Sequence, residues 1–267
     1  MNIISMHSPR SLCAISEVAG MASKDFGQSI KHAFLGMCLG VLLCSSTFLP
    51  HAVGQGTTDI RAQPSRAYSP AYPYEALLAG RAGWAEISLT VDYSGRAIFL
   101  STVGASDPAY ANALQADIEA IEFLAPRVNG RPMMSTLKVR FDFLAKPTLD
   151  PAALEVLAEL KKPKPAVYAV GELDKKPAPI RQPPSAYPWI LRSDGVSGQA
   201  EIEFVIDRAG RPLFPRVISA TQEGFGWAAV TCVKNWRYQP ATKNGEKVFA
   251  RIKETVVFDI NKSADMW

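Results

Sequence analysis

The feature that most limits what this chain can fold into is that it states one pattern twice. Residues 71–103, AYPYEALLAGRAGWAEISLTVDYSGRAIFLSTV, are echoed by residues 186–218, AYPWILRSDGVSGQAEIEFVIDRAGRPLFPRVI. Tyr72-Pro73 answers Tyr187-Pro188, Ala85-Glu86-Ile87 answers Ala200-Glu201-Ile202, and Gly95-Arg96 answers Gly210-Arg211, each at an offset of 115 residues. Asn129-Gly130 and Asn244-Gly245 keep the same offset, and Phe123 and Pro126 correspond loosely to the aromatic-proline ending of NWRYQP (235–240). Two copies are too few for a stacked solenoid. They predict two separate small domains, which 267 residues accommodate comfortably.

Each copy carries the same physical pattern. In QAEIEFVI, Ala200, Ile202, Phe204 and Ile206 fall on one face and Glu201 and Glu203 on the other, the alternation of a half-buried strand. Asp207-Arg208-Ala209-Gly210 supplies a tight turn, because Asp bonds nearby backbone and Gly accepts positive φ. PLFPRVIS returns as the partner strand; its Pro212 and Pro215 cannot donate to a ladder, which predicts an edge or a bulge. WAEISLTV, the turn at Asp92–Gly95 and AIFLSTV repeat this hairpin in the first copy.

A helix follows in each copy. Asp107 caps the first, Pro108 opens it, and Tyr110, Leu114, Ile118 and Ile121 recur at helical spacing. Phe225, Ala229, Cys232 and Trp236 make the second stripe, read as core packing, with Trp236 the last buried anchor and Pro240 stopping the helix. Tyr238 lies just beyond, where its ring packs while its hydroxyl reaches a backbone group. MSTLKVRFDF and ARIKETVVFDI read as third strands. The fold class is therefore α+β: two helix–strand–strand–helix–strand units, each an antiparallel sheet packed on helices. The chain divides into a leader (1–54), a short linker (55–69), a first unit (70–144), a Pro-rich linker (145–182) and a second unit (183–262). The longer linker contains a helix in LDPAALEVLAELKK, capped by Asp150 and opened by Pro151. The Pro-rich stretch after it reads as a plain semi-rigid connector.

The first 54 residues read as an address. Lys31 and His32 precede a 17-residue apolar run (33–49), and Ala52-Val53-Gly54 is a small-x-small site, as in a secretory signal peptide cleaved before Gln55. Met21 is a plausible true start. The rival is an uncleaved anchor, since the run sits at the lower edge of bilayer-spanning length. Cys44 follows Leu43, where a lipobox wants a small residue. Cys13, Cys38, Cys44 and all three histidines (His7, His32, His51) fall in this leader. The mature chain keeps only Cys232, so it forms no intrachain disulfide, and it lacks the commonest general base and metal ligand. With no G-x-S-x-G, P-loop or C-x-x-C, the reading is non-enzymatic, with no metal and no cofactor. Beyond the leader, 26 basic residues stand against 23 acidic ones, too balanced for nucleic acid.

The second copy resembles the C-terminal domain of TonB-family energy transducers. The resemblance rests on Tyr187-Pro188, Gly198-Gln199-Ala200-Glu201-Ile202, Asp207 through Arg211, Trp236-Arg237-Tyr238-Gln239-Pro240 and Asn244-Gly245. The first copy shares the Tyr-Pro, the strand and the Gly-Arg turn, but has Phe123-Leu124-Ala125-Pro126 where the second has the Trp-Arg motif. The structural residues of the pattern are Tyr72, Pro73, Pro188, Gly210, Trp236, Pro240 and Gly245. The resemblance implies an envelope protein-interaction module that grips a short segment of an outer-membrane receptor by strand addition. It places the accepting edge on the third strand, around Arg251, Lys253, Thr255 and Val257, helped by Tyr187, Arg237 and Tyr238. Two features of a transducer are missing. The apolar run holds no Ser and His pair, and residues 55–69 reach only ~45 Å even as polyproline II. Expected partners are an envelope protein or receptor peptide, a homodimer being possible, with membrane contact only if the leader is uncleaved. Localisation is periplasmic, or inner-membrane anchored. The alternative is a structural envelope protein whose sheet edges pair within the chain or in a homodimer.

Overall fold

Alternating apolar and polar side chains decide which face of a strand is buried, and the first strand of each hairpin follows that rule over most of its length. The computed structural model describes residues 59–263; the leader, with Met21 and the position before Gln55, lies outside the described residues. In the N-terminal half, α1 (Tyr74–Leu78), β1 (Gly83–Val91), β2 (Ala97–Ala105), α2 (Pro108–Glu119) and β3 (Ser135–Phe143) follow one another. The connecting stretch holds α3 (Pro151–Leu160), β4 (Val167–Ala169) and β5 (Ala178–Arg181). The C-terminal half contains α4 (Trp189–Ser193), β6 (Gly198–Ile206), β7 (Pro212–Ala220), α5 (Glu223–Val233), β8 (Arg237–Gln239) and β9 (Phe249–Phe258). The first sheet runs β2-β1-β3 and the second β7-β6-β9-β4. Ala85, Ile87, Leu89 and Val91 share a buried cluster with Leu114 and Ile118 of α2. Ala200, Ile202, Phe204 and Ile206 do the same with Phe225 and Ala229 of α5.

The hairpin turns are held by their aspartates. Asp92 Oδ1 accepts from the Ser94 and Arg96 amides, and Asp207 Oδ1 from those of Ala209 and Arg211, at 2.8–2.9 Å. Gly210 stands at φ +81°, and a Cβ there would lie 1.8 Å from the Tyr238 carbonyl oxygen. The Tyr238 amide donates back to the Gly210 carbonyl at 2.9 Å. The same embrace joins Gly95 (φ +89°) to Phe123, whose amide donates to Gly95 at 2.8 Å. Phe123 therefore stands where Tyr238 does, 115 residues earlier; Pro126 falls opposite Ala241, and Pro240 opposite Ala125.

Two expectations about the Trp-Arg motif are corrected. Helix α5 ends at Val233, and Trp236 lies in the turn after it, its amide bonded to the Val233 carbonyl. Pro240 thus has no part in stopping the helix. Trp236 is buried nonetheless, because the turn brings it back to the same core as Phe204, and its Nε1 donates to the Pro183 carbonyl. The Tyr238 hydroxyl does not reach backbone; it accepts from Gln182 Nε2 at 2.8 Å. Burial pushes the Cys232 thiol up to about 11, so it stays protonated beside Pro183.

The segments expected as linkers are not free spacers. Gln63 and Pro64 pair with Leu124 and Phe123, and Ile60 bridges Arg127. Ala178 and Pro179 pair with Gln239 and Tyr238, and Lys175 bridges Thr242, again displaced by 115. Helix α3 forms with Asp150 as its cap, as its sequence predicts, but it docks on the C-terminal sheet. Val156 packs with Val205 and Phe249 on the sheet face away from α5, while Asp150 takes two hydrogen bonds from Arg211 and Glu155 one from Arg208.

The halves meet where α2 packs on α5. Trp227 of α5 reaches the N-terminal core, and Ala71 joins the C-terminal one. Asn112 Nδ2 donates to Glu223 Oε1, Lys234 Nζ to the Ser69 carbonyl, and the Trp189 amide to Glu119 Oε1. Desolvation at this junction raises the Glu119 carboxyl to about 7, against the pull of the Trp189 amide.

Candidate functional site

A sheet edge is a row of backbone donors and acceptors without partners, so the four long edges of the two sheets are the places to look for binding. Two are obstructed at the junction. β2 is touched by α4, with the Phe99 and Trp189 rings 4.6 Å apart, and β7 by α1, with the Arg216 guanidinium 5.2 Å from the Tyr74 ring centre. Both strands are bulged against their partners, and Phe99 and Phe214 stand at φ 50° and 51°. The edge position and irregular register of β7 are what Pro212 and Pro215 imply. Bulges and prolines of this kind discourage further pairing.

The third strands are different. β9 pairs with β6 over its length, from Gly198↔Phe258 to Ile206↔Ala250. On its outer side, Phe249, Ala250 and Arg251 pair in parallel with Val167, Tyr168 and Ala169 of β4. From Ile252 to Phe258 that side has no strand partner among the described residues. The chain has therefore added a strand to its own β9, with the 3-10 turn Val170–Glu172 also lying against it, and left the remaining seven positions without a strand partner. Val167 packs beside Val156 and Phe249, and Lys243 lies 4.0 Å from the Tyr168 ring, so β4 is held by more than its ladder.

Side chains alternate along this edge. Ile252, Val256 and Phe258 are buried, whereas Arg251, Lys253, Thr255 and Val257 share the opposite face, Val257 being 68% exposed. Across β6 they stand opposite Val205, Glu203, Glu201 and Gln199. Glu203 Oε1 is 2.7 Å from Arg216 and 3.9 Å from Arg251, so one carboxylate ties three strands. Glu254 breaks the inward apolar pattern: it is half-buried and opposite Ile202, with no hydrogen bond or ion pair among the described residues, and burial pushes its carboxyl up.

The structure thus gathers four of the expected residues, Arg251, Lys253, Thr255 and Val257, on one face. Arg237 lies apart on β8, paired with Arg181, its Nη1 donating to the Trp236 carbonyl. Tyr187 and Tyr238 are engaged in the core. The Tyr187 hydroxyl donates to the Val196 carbonyl and its ring meets Phe225 and Phe258 edge-on; Tyr238 is 2% exposed. Tyr72 mirrors Tyr187, donating to the Arg81 carbonyl. Pro73 and Pro188 cap α1 and α4, and Gly245 turns a short hairpin at φ +80°. Sequence reasoning missed β4 and Glu254. Three residues carry no periodicity, but an acid among Ile252, Val256 and Phe258 is visible in the sequence.

Residues 183–260 match the family model described as Gram-negative bacterial TonB protein C-terminal. Among solved structures, the solution NMR structure of the Pseudomonas aeruginosa TonB C-terminal domain is similar, at 20% identity over 34% of this chain and 92% of that chain, with a TM-score of 0.28. No curated protein matches the chain. Among the described residues, no helix is long and apolar enough to cross a membrane.

Proposed function

We propose that this chain is a non-enzymatic, TonB C-terminal-like interaction module of the Gram-negative envelope, acting in the periplasm after cleavage before Gln55. Its C-terminal half takes an extended partner peptide, such as a segment of an outer-membrane receptor, onto the outer edge of β9. The N-terminal half is a second, diverged copy of the same unit. The supporting observation is that β9 already carries a parallel strand at Phe249–Arg251 while Ile252–Phe258 stays unpaired among the described residues. An edge that seats one strand has the twist and clearance to seat its continuation. Alternate residues direct their backbone groups outward, so seven positions offer about three or four pairing residues. At ~1 kcal/mol net per hydrogen bond, less the ordering of the peptide, the backbone grip is weak, and side chains must add to it.

The structural alternative has an observation of its own, since β4 shows that edges do pair within the chain. Titration of a labelled receptor-derived peptide separates the two. Thr255→Pro removes an edge donor; it weakens binding if that N–H faces outward, and destabilises the half if it faces β6. Charge reversal at Glu201 has the smaller effect on binding; reversal at Glu203 does not serve as that comparison, because it breaks the pairs with Arg216 and Arg251. A folded Thr255→Pro protein that binds as wild type, beside a Glu201 charge-reversal variant that fails, refutes strand addition here. No binding of any such peptide favours the structural reading.

A further inference from the structure

The outer edge of β3, in the N-terminal half, has no strand paired to it along its whole length among the described residues. It is nine residues long, Ser135–Phe143, and its ladder to β1 is unbroken from Gly83↔Phe143 to Val91↔Ser135. Its counterpart 115 residues on is β9, where the chain's own Val167–Ala169 sits in parallel on Phe249–Arg251. A strand on this edge is therefore compatible with the way the unit twists and packs.

The side chains indicate what fits. Leu137, Val139, Phe141 and Phe143 face the core, whereas Thr136, Lys138, Arg140 and Asp142 are exposed on the other face. Arg140 lies over the Trp84 ring at 4.3 Å and pairs with Asp142 at 3.1 Å. Lys138 stands opposite Ser88 and has no carboxylate among the described residues. A second copy of this strand suits the edge poorly. Antiparallel pairing about Val139 sets Lys138 against Arg140 twice, and pairing about Arg140 sets that residue against itself, offset there by Lys138 opposite Asp142; like charges directly opposite are destabilising. Acidic side chains at alternate positions of an incoming strand meet Lys138 and Arg140 favourably.

We infer that β3 is a second strand-acceptor edge, taking an extended peptide that runs parallel to it and places carboxylates beside Lys138 and Arg140. The inference rests on the strand-addition reading of β9, and the test keeps the two apart. Asp142 and Val257 are equivalent positions on the two edges, and the cysteine beyond the leader, Cys232, is buried. Asp142→Cys and Val257→Cys proteins are each incubated with a synthetic peptide alternating Glu with Val and Tyr and carrying one cysteine, and disulfide trapping is followed by mass. Trapping is expected at both positions. Lys138→Glu with Arg140→Glu should reduce trapping at 142 by about tenfold or more and leave 257 unchanged. Circular dichroism of the charge-reversed protein confirms that it is folded. Trapping at 257 but not at 142 overturns this inference alone, and failure at both overturns the strand-addition reading with it. Trapping at 142 that ignores the charge reversal refutes the chemical selection. A peptide-free disulfide between two proteins through 142 makes the occupant a second copy and refutes the proposal.

Discussion

Gly210→Ala isolates the contact that ties the hairpin turn to the Trp-Arg motif. A left-handed φ of +81° at a residue with a side chain costs about 1 kcal/mol. Steric overlap costs more. The new Cβ lies 1.8 Å from the Tyr238 carbonyl oxygen and 2.9 Å from its carbon. These are backbone atoms, so no side-chain rotation relieves the overlap. Moving Tyr238 away breaks its 2.9 Å amide bond to Gly210, about 1 kcal/mol. It also withdraws a buried ring from Phe204 and Trp236, at 5.9 and 6.4 Å between centroids, and so loses part of the roughly 1.5–3 kcal/mol that burial of such a side chain contributes. The sum is on the order of 3–5 kcal/mol. Two internal controls divide it. Gly245 also has positive φ, +80°, but nothing lies within 4 Å of its Cβ position, so its alanine variant bears only the ~1 kcal/mol conformational cost. Gly171 has neither constraint, and its alanine variant is close to neutral. Urea unfolding followed by near-ultraviolet circular dichroism should order the midpoints 171, 245, 210 from high to low, with Gly210→Ala displaced by about 1–3 M. A Gly210→Ala protein no less stable than Gly245→Ala would refute the steric argument.

Trp236→Ala empties a buried site in the same core and should lower stability by roughly 3–5 kcal/mol; an unchanged thermal melt would place the side chain outside the packing that holds the half together. Glu119, raised to about 7 in the folded chain, binds more protons folded than unfolded between pH 4.5 and 7, so stability falls as pH rises through that window, by up to about 3 kcal/mol. Glu119→Gln keeps the acceptor for the Trp189 amide and should flatten this dependence and raise stability at pH 8; a pH profile identical to wild type rejects the assignment. Glu254→Val copies the residue at the equivalent position in β3, Val139, and should stabilise the C-terminal half by about 1 kcal/mol in a melt while altering which peptides β9 accepts; a loss of stability would mean that the carboxylate has a stabilising partner. Fractionation with N-terminal sequencing should return Gln55 or a neighbour as the first residue, and intact leader in the inner membrane would restore the transducer reading.

What was legible in the sequence followed from local rules. Both hairpins came from period-two alternation ended by an Asp-x-x-Gly turn, and α2 from Asp107 and Pro108. The end of α5 was missed because Phe225, Ala229, Cys232 and Trp236 keep helical spacing although the chain leaves the helix at Val233. A turn that folds back onto the same core preserves the apparent period. The arms at 60–64 and 175–181 were hidden by Pro64 and Pro179, which read as breakers although a proline can still take its place in a short, two-stranded pairing. The docking of α3 depends on Val156 meeting Val205 and Phe249, contacts between residues far apart in sequence that no window reveals. For the candidate site, the alternation of Arg251, Lys253, Thr255 and Val257 was readable, whereas the partial occupation of their edge by three residues was not.

The packing of α2 on α5, with its cross-links from Asn112, Glu119 and Lys234, makes the molecule a ruler. The gap between the open edges of β3 and β9 is set by that packing and not by the length of the connecting stretch. A partner with two binding segments then gains avidity only if its own spacer matches the gap. A shorter spacer gives none, and a longer one loses effective concentration roughly as the −3/2 power of its length. Selectivity among partners with the same short motif thereby passes from the motif to the distance between its repeats.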